Sequence, residues 1–323
     1  MSLNVIGLGE VLWDLLPAGP QLGGAPANFA YHVQALGTQI GAQAEVITRI
    51  GDDNYGREII RRFRKMRLGA ATVQIDEIAP TGTAQVALSK NGLACFNIQE
   101  NVAWDFLALT DEARYSVRQA DAICFGTLAQ RSVRSRSTIQ QLVASSSSNA
   151  LRVLDINLRD SFYSSRVVEE SLQLANILKL NDEELPILVE MFDSCGGDTP
   201  VRLSTPEHSS VPTAASMHHQ IERLAQAFGL RLVALTRGAN GSLLYQADGE
   251  ERRWSDSASR PVNVIDTVGA GDAFTAALVL GLLRRLDLDE INNIANEVAR
   301  YVCSQSGATP KLPVEFAKWF SAS

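Results

Sequence analysis

The densest concentration of residues able to do chemistry is Asp266-Thr267-Val268-Gly269-Ala270-Gly271-Asp272-Ala273-Phe274. Gly269 and Gly271 free the backbone to expose successive N–H groups. Good helix formers follow, over 273–283, so those amides fall at a helix N-terminus whose dipole favours an anion. Asp272 places a carboxylate beside that pocket. A phosphoryl group held by the amides of Gly269, Ala270 and Gly271, with an alcohol facing Asp272, would be set up for phosphoryl transfer. The same residues also suit a tight turn in which Asp272 merely favours the helix start. The rest of the chain has to decide between these.

The elements that must position such groups alternate along the chain. Residues 4–9 read as a buried strand ending in glycines, and 10–14 then project polar groups from its C-terminal end, where open α/β sheets bind ligands. Asp14 is either one of those groups or a surface turn residue. A dinucleotide fingerprint is excluded, because Leu12 stands where a third glycine is needed. Gly23-Gly24-Ala25-Pro26 opens a helix that runs to about Leu36: the diglycine lets backbone approach a ligand, and Pro26 pre-sets the first turn. Asn28 lies in that turn, where asparagine does little for helix stability, so it is a ligand contact or a solvated helix residue. A strand and turn at 46–56 precede a basic amphipathic helix at 59–66 with a solvated face. Two short alternating strands within 81–98 flank Asn91-Gly92, a hairpin signal, and suggest a separate small sheet.

Strands at 122–126, 151–156, 177–180 and 232–236 then alternate with helices, which predicts a parallel, doubly wound sheet. Asn157 and Arg159 follow the strand ending near Asp155; Arg159 contacts a ligand or pairs with Asp155 or Asp160. Asn181 and Glu184 have capping-box spacing, yet Pro186 argues for a helix that begins later and leaves both free. Thr236, Gly238 and Gly241 shape a plausible nucleotide-contact loop, and 261–265 reads as the strand leading into Asp266. Apolar residues at Ile291, Ile294, Val298 and Val302 mark a helical face, with Asn293 and Asn296 as adenine contacts or ordinary polar residues. Residues 193–216, rich in Gly, Pro, Ser and Thr, read as a long surface insertion, and His218-His219 as exposed helix residues.

With 323 residues, 46% of them hydrophobic, the chain can build one large α/β domain over 1–323. A net charge of −7 argues against a general nucleic-acid binder, so a phosphate site must rely on amides and a few basic side chains. No stretch reads as a membrane span or signal peptide, since 5–16 is short and interrupted by Glu10 and Asp14. The four cysteines are scattered without a C-x-x-C pair. A cytoplasmic, reduced setting is expected.

The nonapeptide at 266–274 resembles the second signature of the PfkB carbohydrate kinases, related to ribokinase and fructokinase, and Gly23 to Ala30 with 46–56 resembles the first. Asp155-x-Asn157-x-Arg159, Asn181-x-x-Glu184 and Thr236-x-Gly238-x-x-Gly241 are similar to further motifs of that family, in order, over nearly the whole chain. The resemblance implies a ribokinase-like α/β fold with a small β-sheet lid, inserted at about 12–22 and 80–107. It implies an ATP-dependent kinase acting on a primary hydroxyl of a small sugar, most similar to bacterial fructokinases. A ketodeoxygluconate, ribose or nucleoside kinase, and a non-catalytic sugar-sensing relative, are the alternatives. Asp272 would be the base, with Gly269, Ala270 and Gly271 as the anion hole. Asp14, Gly24, Asn28 and Arg159 would bind the sugar, and Phe96 and 101–105 would line its lid side. Asn181, Thr236, Gly238, Gly241 and Asn296 would contact ATP. Glu184 would reach Mg²⁺ through water, and the Asp266 carbonyl with 303–310 would form a monovalent-cation site for K⁺. Dimerisation through the lid is common in the family and is left open.

Overall fold

The computed structural model describes residues 2–88, 94–159, 162–193 and 214–321. The Asn91-Gly92 turn, Asp160 and most of the 193–216 stretch lie outside them. The strands run β1 (Leu3–Leu8), β2 (Leu12–Leu16), β3 (Gly19–Gly23), β4 (Ala42–Gly51), β5 (Val73–Asp76), β6 (Gly82–Leu88), β7 (Ala94–Ile98), β8 (Ala122–Phe125), β9 (Leu151–Asp155), β10 (Ile177–Asn181), β11 (Leu232–Thr236), β12 (Ser242–Asp248) and β13 (Glu251–Ser257). The helices are α1 (Ala25–Leu36), α2 (Asn54–Met66), α3 (Asp111–Gln119), α4 (Val133–Ala144), α5 (Ser165–Leu174), α6 (Glu184–Asp193), α7 (Ala214–Phe228), α8 (Ala270–Leu283) and α9 (Leu288–Cys303).

Among the described residues the main sheet has the order β13-β12-β11-β10-β9-β8-β1-β4-β5, parallel from β11 to β5 and antiparallel for β12 and β13. Chain order runs outward in both directions from the β1–β8 pair, and that reversal opens a crevice beyond the strands' C-terminal ends. The parallel strands are near-continuous apolar runs because helices cover both faces. α8 packs between α1 and α9, and residues 273–281 within it are buried, so a helix apolar on every side is satisfied there. The smaller sheet, of order β3-β2-β6-β7, stands apart. Trp13 ties it down: the indole Nε1 donates to the Tyr55 carbonyl at 3.2 Å, and the Arg62 guanidinium lies 4.6 Å from the ring centroid.

Residues 261–265 are not a strand. Val264 and Ile265 are 56% and 62% exposed, and the Ile265 and Asp266 amides donate to the Cys303 carbonyl rather than to a sheet neighbour. The segment's β-branched composition was outweighed by tertiary contact, since the Cys303 carbonyl at the end of α9 takes the amides that a strand would have given to a neighbour. His218, expected exposed, is half-buried with its ring 4.1 Å from that of Trp254. Asn101 is exposed, and residues 102–105 pack as a buried strut: Trp104 is fully enclosed, and Asp105 forms a two-pronged ion pair with Arg131 at 2.8 Å per contact. The side chain of Phe96 lies outside the described residues.

Candidate active site

Two helix N-termini meet at the crevice. α1 begins after Gly24, whose φ of 106° suits glycine, and a Cβ there would stand 2.7 Å from the Glu10 carbonyl oxygen. Backbone contact between the end of β1 and the start of α1 therefore fixes where Asn28 projects. α8 begins after Gly269, at φ 80°, where a Cβ would meet the Ala308 carbonyl oxygen at 2.4 Å. Between the two, Asn28 Nδ2 donates to Asp272 Oδ2 at 2.8 Å, joining residues 244 positions apart. Asn28 Oδ1 is buried with no partner.

The carboxylates here are crowded. Burial, reinforced by Asp155, pushes Asp272 up to about 6, against the opposing pull of Asn28, Lys179 and Arg159. Asp272 keeps some surface toward the crevice, so water screens part of that penalty. Glu10 is 3% exposed and is pushed up to about 7 by burial, with backbone amides opposing and Asp272 adding repulsion. Its Oε2 has no partner, and with Asp155, Asn157 and Asp272 it lines a cavity reaching to Gly126 and Thr127 after β8. Asp14, on β2, is raised to about 6 by burial, which Arg159 counteracts. Arg159 is exposed and donates to the Leu158 carbonyl at 3.1 Å, and its charge acts on Glu10, Asp14 and Asp272 alike.

Of the two ion-pair partners open to Arg159 besides a ligand, Asp160 lies outside the described residues and Asp155 belongs to another residue. Asp155 instead accepts Lys179 Nζ at 3.0 Å and Thr275 Oγ1 at 2.9 Å. Lys179 comes from the middle of β10 and is buried directly beneath the glycine turn, 2.9 Å from where a Cβ on Gly271 would stand. Burial disfavours its charge, but Asp155 and Glu184 more than compensate and the pKa is raised. Its signal in the sequence was a lysine inside the apolar run Ile177-Leu178-Lys179-Leu180.

Asn181 and Glu184 form the reciprocal cap. Asn181 Oδ1 accepts the Glu183 and Glu184 amides at 2.9 and 2.8 Å, and Glu184 Oε2 accepts the Asn181 amide at 2.8 Å. Glu184 Oε1 also accepts the Leu158 amide at 2.9 Å, and burial raises its pKa. α6 starts at Glu184, so Pro186 falls within its first turn and costs little. Thr236 closes β11 with its hydroxyl donating to the Leu180 carbonyl at 3.3 Å. Gly241 packs against β13, whereas Gly238 has no atom within 4 Å of where a Cβ would be and is open to a ligand. Asn296 Nδ2 donates to Ser242 Oγ at 2.7 Å, part of a polar seam in which the buried Asn292 and the Asn293 side-chain Oδ1, accepting from the Ser257 hydroxyl, also join α9 to β12 and β13. Asp266 accepts the Val268 and Gly307 amides, each at 3.0 Å, which sews the 266–268 loop to 303–308.

Comparison with known proteins gives the family. The family model for pfkB family carbohydrate kinases matches residues 20–315. The chain belongs to that family. It is 30% identical over 299 residues to a sugar kinase of Pyrococcus horikoshii, covering 90% of this chain and 83% of the other. The structure of that protein in complex with ATP superposes with a TM-score of 0.77 at 26% identity, covering 98% of this chain and all of the other. A fructokinase of Salmonella typhimurium is 28% identical over 294 residues, with 87% and 85% covered. A ribokinase of Thermotoga maritima, 19% identical, shares the fold with a TM-score of 0.70 over 99% of both chains. This carbohydrate kinase therefore has the ribokinase-like architecture, with its large sheet and small separate sheet. Among its described residues no helix is long and apolar enough to cross a membrane, and no cluster of His, Cys, Asp or Glu could hold a metal.

Proposed function

We propose that this kinase transfers the γ-phosphoryl group of ATP to a primary hydroxyl of a small sugar, with fructose as the substrate. The observation that carries the reading is Asp272, hydrogen-bonded to Asn28 at the mouth of α8 and one residue from the amide turn of Gly269 to Gly271. Asn28, Asp14 and the Gly24 backbone hold the sugar, and Asn28 Oδ1 supplies an acceptor not already used by the protein. The hydroxyl oxygen attacks the γ-phosphorus, its proton passes to Asp272, and the bond to the β-phosphate oxygen breaks to release ADP. Amides of the glycine turn stabilise charge on the transferred group, with Lys179 beneath them. Fructokinases among the relatives support the substrate.

Mg²⁺ bound with ATP would neutralise charge on the phosphates. Glu184 already accepts two backbone amides, so the fit is to waters around that ion through its remaining lone pairs. Gly238 and Thr236 face the nucleotide side, Asn181 positions Glu184, and Asn296 serves by bracing β12. The 266 and 303–308 loops, sewn together by Asp266 and Gly307, would hold K⁺ through the Asp266 carbonyl. A second reading, an acidic sugar such as ketodeoxygluconate, is favoured by the exposed Arg159 guanidinium, which has no ion-pair partner among the described residues and whose charge acts on Asp14 and Asp272. A coupled ADP-release assay over fructose, ribose, glucose, ketodeoxygluconate and adenosine, with Mg·ATP and K⁺, tests both. Preference for fructose supports the reading; preference for the acid transfers it to the second; no response to any sugar defeats it.

A further inference from the structure

His32 lies one helical turn beyond Asn28 on the same side of α1. It is fully buried, and its Nε2 donates to the Ala308 carbonyl at 2.9 Å, which leaves Nδ1 as the unprotonated nitrogen. That nitrogen is buried without a partner. Burial also pushes the imidazole down to about 4, so it is neutral. A buried polar atom without a partner is costly, and an apolar side chain of similar volume would avoid that cost. What the imidazole secures is the one carbonyl against which Gly269 is pressed. Tyr31, the next residue back, donates to the Pro310 carbonyl at 2.9 Å, and the Gly307 amide returns to Asp266. α1 thus grips the start of α8 at two points, directly through Asn28 to Asp272 and indirectly through His32 to Ala308 and Gly269.

We propose that His32 is a positioning residue for phosphoryl transfer, holding the 307–310 loop as a backstop that fixes where the Gly269–Gly271 amides point. This rests on the role given above to that turn. His32 touches no reacting atom. Its loss should slow turnover without loosening the sugar, because the sugar contacts of Asn28 and Asp14 do not pass through Ala308.

The test compares two variants differing by one methylene. His32→Gln carries an N–H donor at a reach similar to Nε2, whereas His32→Asn is too short to reach Ala308. With the sugar that the substrate panel identifies, His32→Gln should stay within about threefold of the wild-type kcat. His32→Asn should lose about tenfold or more with sugar KM within about twofold, the scale expected when reacting groups shift by a fraction of an ångström. Hydrogen exchange over 266–274 should quicken in His32→Asn and not in His32→Gln, a readout independent of turnover. Equal kcat and equal exchange in the two variants overturn the proposal. A wild type without sugar-dependent ADP release defeats the phosphoryl-transfer reading instead, while the exchange comparison still decides whether His32 holds the turn. Should His32→Asn not fold, a tenfold loss of kcat in folded His32→Gln overturns the proposal, and wild-type kcat and exchange support it.

Discussion

Replacing Asp272 by Asn should make the protein more stable and nearly inactive. The carboxyl is raised from 3.8 to about 6 by burial and by Asp155, so its ionised form is disfavoured in the folded state. A shift of roughly two units corresponds to about 3 kcal/mol of strain at neutral pH. The side facing the crevice is solvated, and allowing for that screening leaves about 1–2 kcal/mol. Asparagine has no charge to desolvate, and its carbonyl oxygen can still accept from Asn28. The sign follows from proton binding. Below about pH 4 the carboxyl is protonated in both folded and unfolded chains, so wild type and variant should be equally stable. Above it the unfolded chain ionises first, the wild type loses ground until about pH 6, and the variant's advantage is complete at pH 7. At about 2 °C per kcal/mol for a chain of this size, the variant's Tm at pH 7 should exceed that of the wild type by about 3 °C. Turnover should fall by about 10²–10⁴-fold with ATP affinity retained, as expected on loss of a general base. Thermal melts from pH 4 to 7, paired with the ADP-release assay, read both. A variant that melts lower at pH 7, or gains equally at pH 4, refutes the strained-carboxylate reasoning; near-normal turnover removes Asp272 from the base role.

Because Asp272 must be ionised to accept a proton, kcat/KM of the wild type should decline as pH falls through about 6, and a rate flat down to pH 5 would contradict that. Gly269→Ala should cost more than about 2 kcal/mol and most of the turnover, since its Cβ would collide with the Ala308 carbonyl at a positive φ; chemical denaturation and kcat report the two losses. Lys179→Met should destabilise by about 3–5 kcal/mol by leaving Asp155 as a buried charge with Thr275 as its one side-chain donor among the described residues, measurable as a lower urea midpoint. Exchanging K⁺ for Na⁺ or choline should lower activity if the 266 and 303–308 loops hold a monovalent cation, and an unchanged rate would count against that site.

The sequence determined the α/β alternation, the helix after Gly269-Ala270-Gly271 and the pairing of a glycine-started helix with Asn28, because each rests on local periodicity or on what glycine alone permits. Half of the small sheet, β6 and β7, was legible from alternation on either side of Asn91-Gly92, whereas β2 and β3 were expected only as the lid insertion that the resemblance implied at about 12–22. Residues 261–265 show where local signals end: their composition favours a strand, but the partner of the Ile265 and Asp266 amides is the Cys303 carbonyl, which only the packing of α9 supplies. Glu184 shows the same for chemistry, since its spacing allowed both a cap and a ligand, and two backbone amides in fact engage its carboxylate. Arg159 and Lys179 competed for Asp155, and only the packing of β10 beside β9 gave that partner to the lysine. What the tertiary structure alone decided was the meeting of Asn28 with Asp272 and of His32 with Ala308. Such contacts join residues hundreds of positions apart, and they form because α1 and α8 bury their apolar faces against each other. Residue types fix which chemistry is available, and burial of helices and strands far apart in sequence fixes which groups face one another and at what pKa.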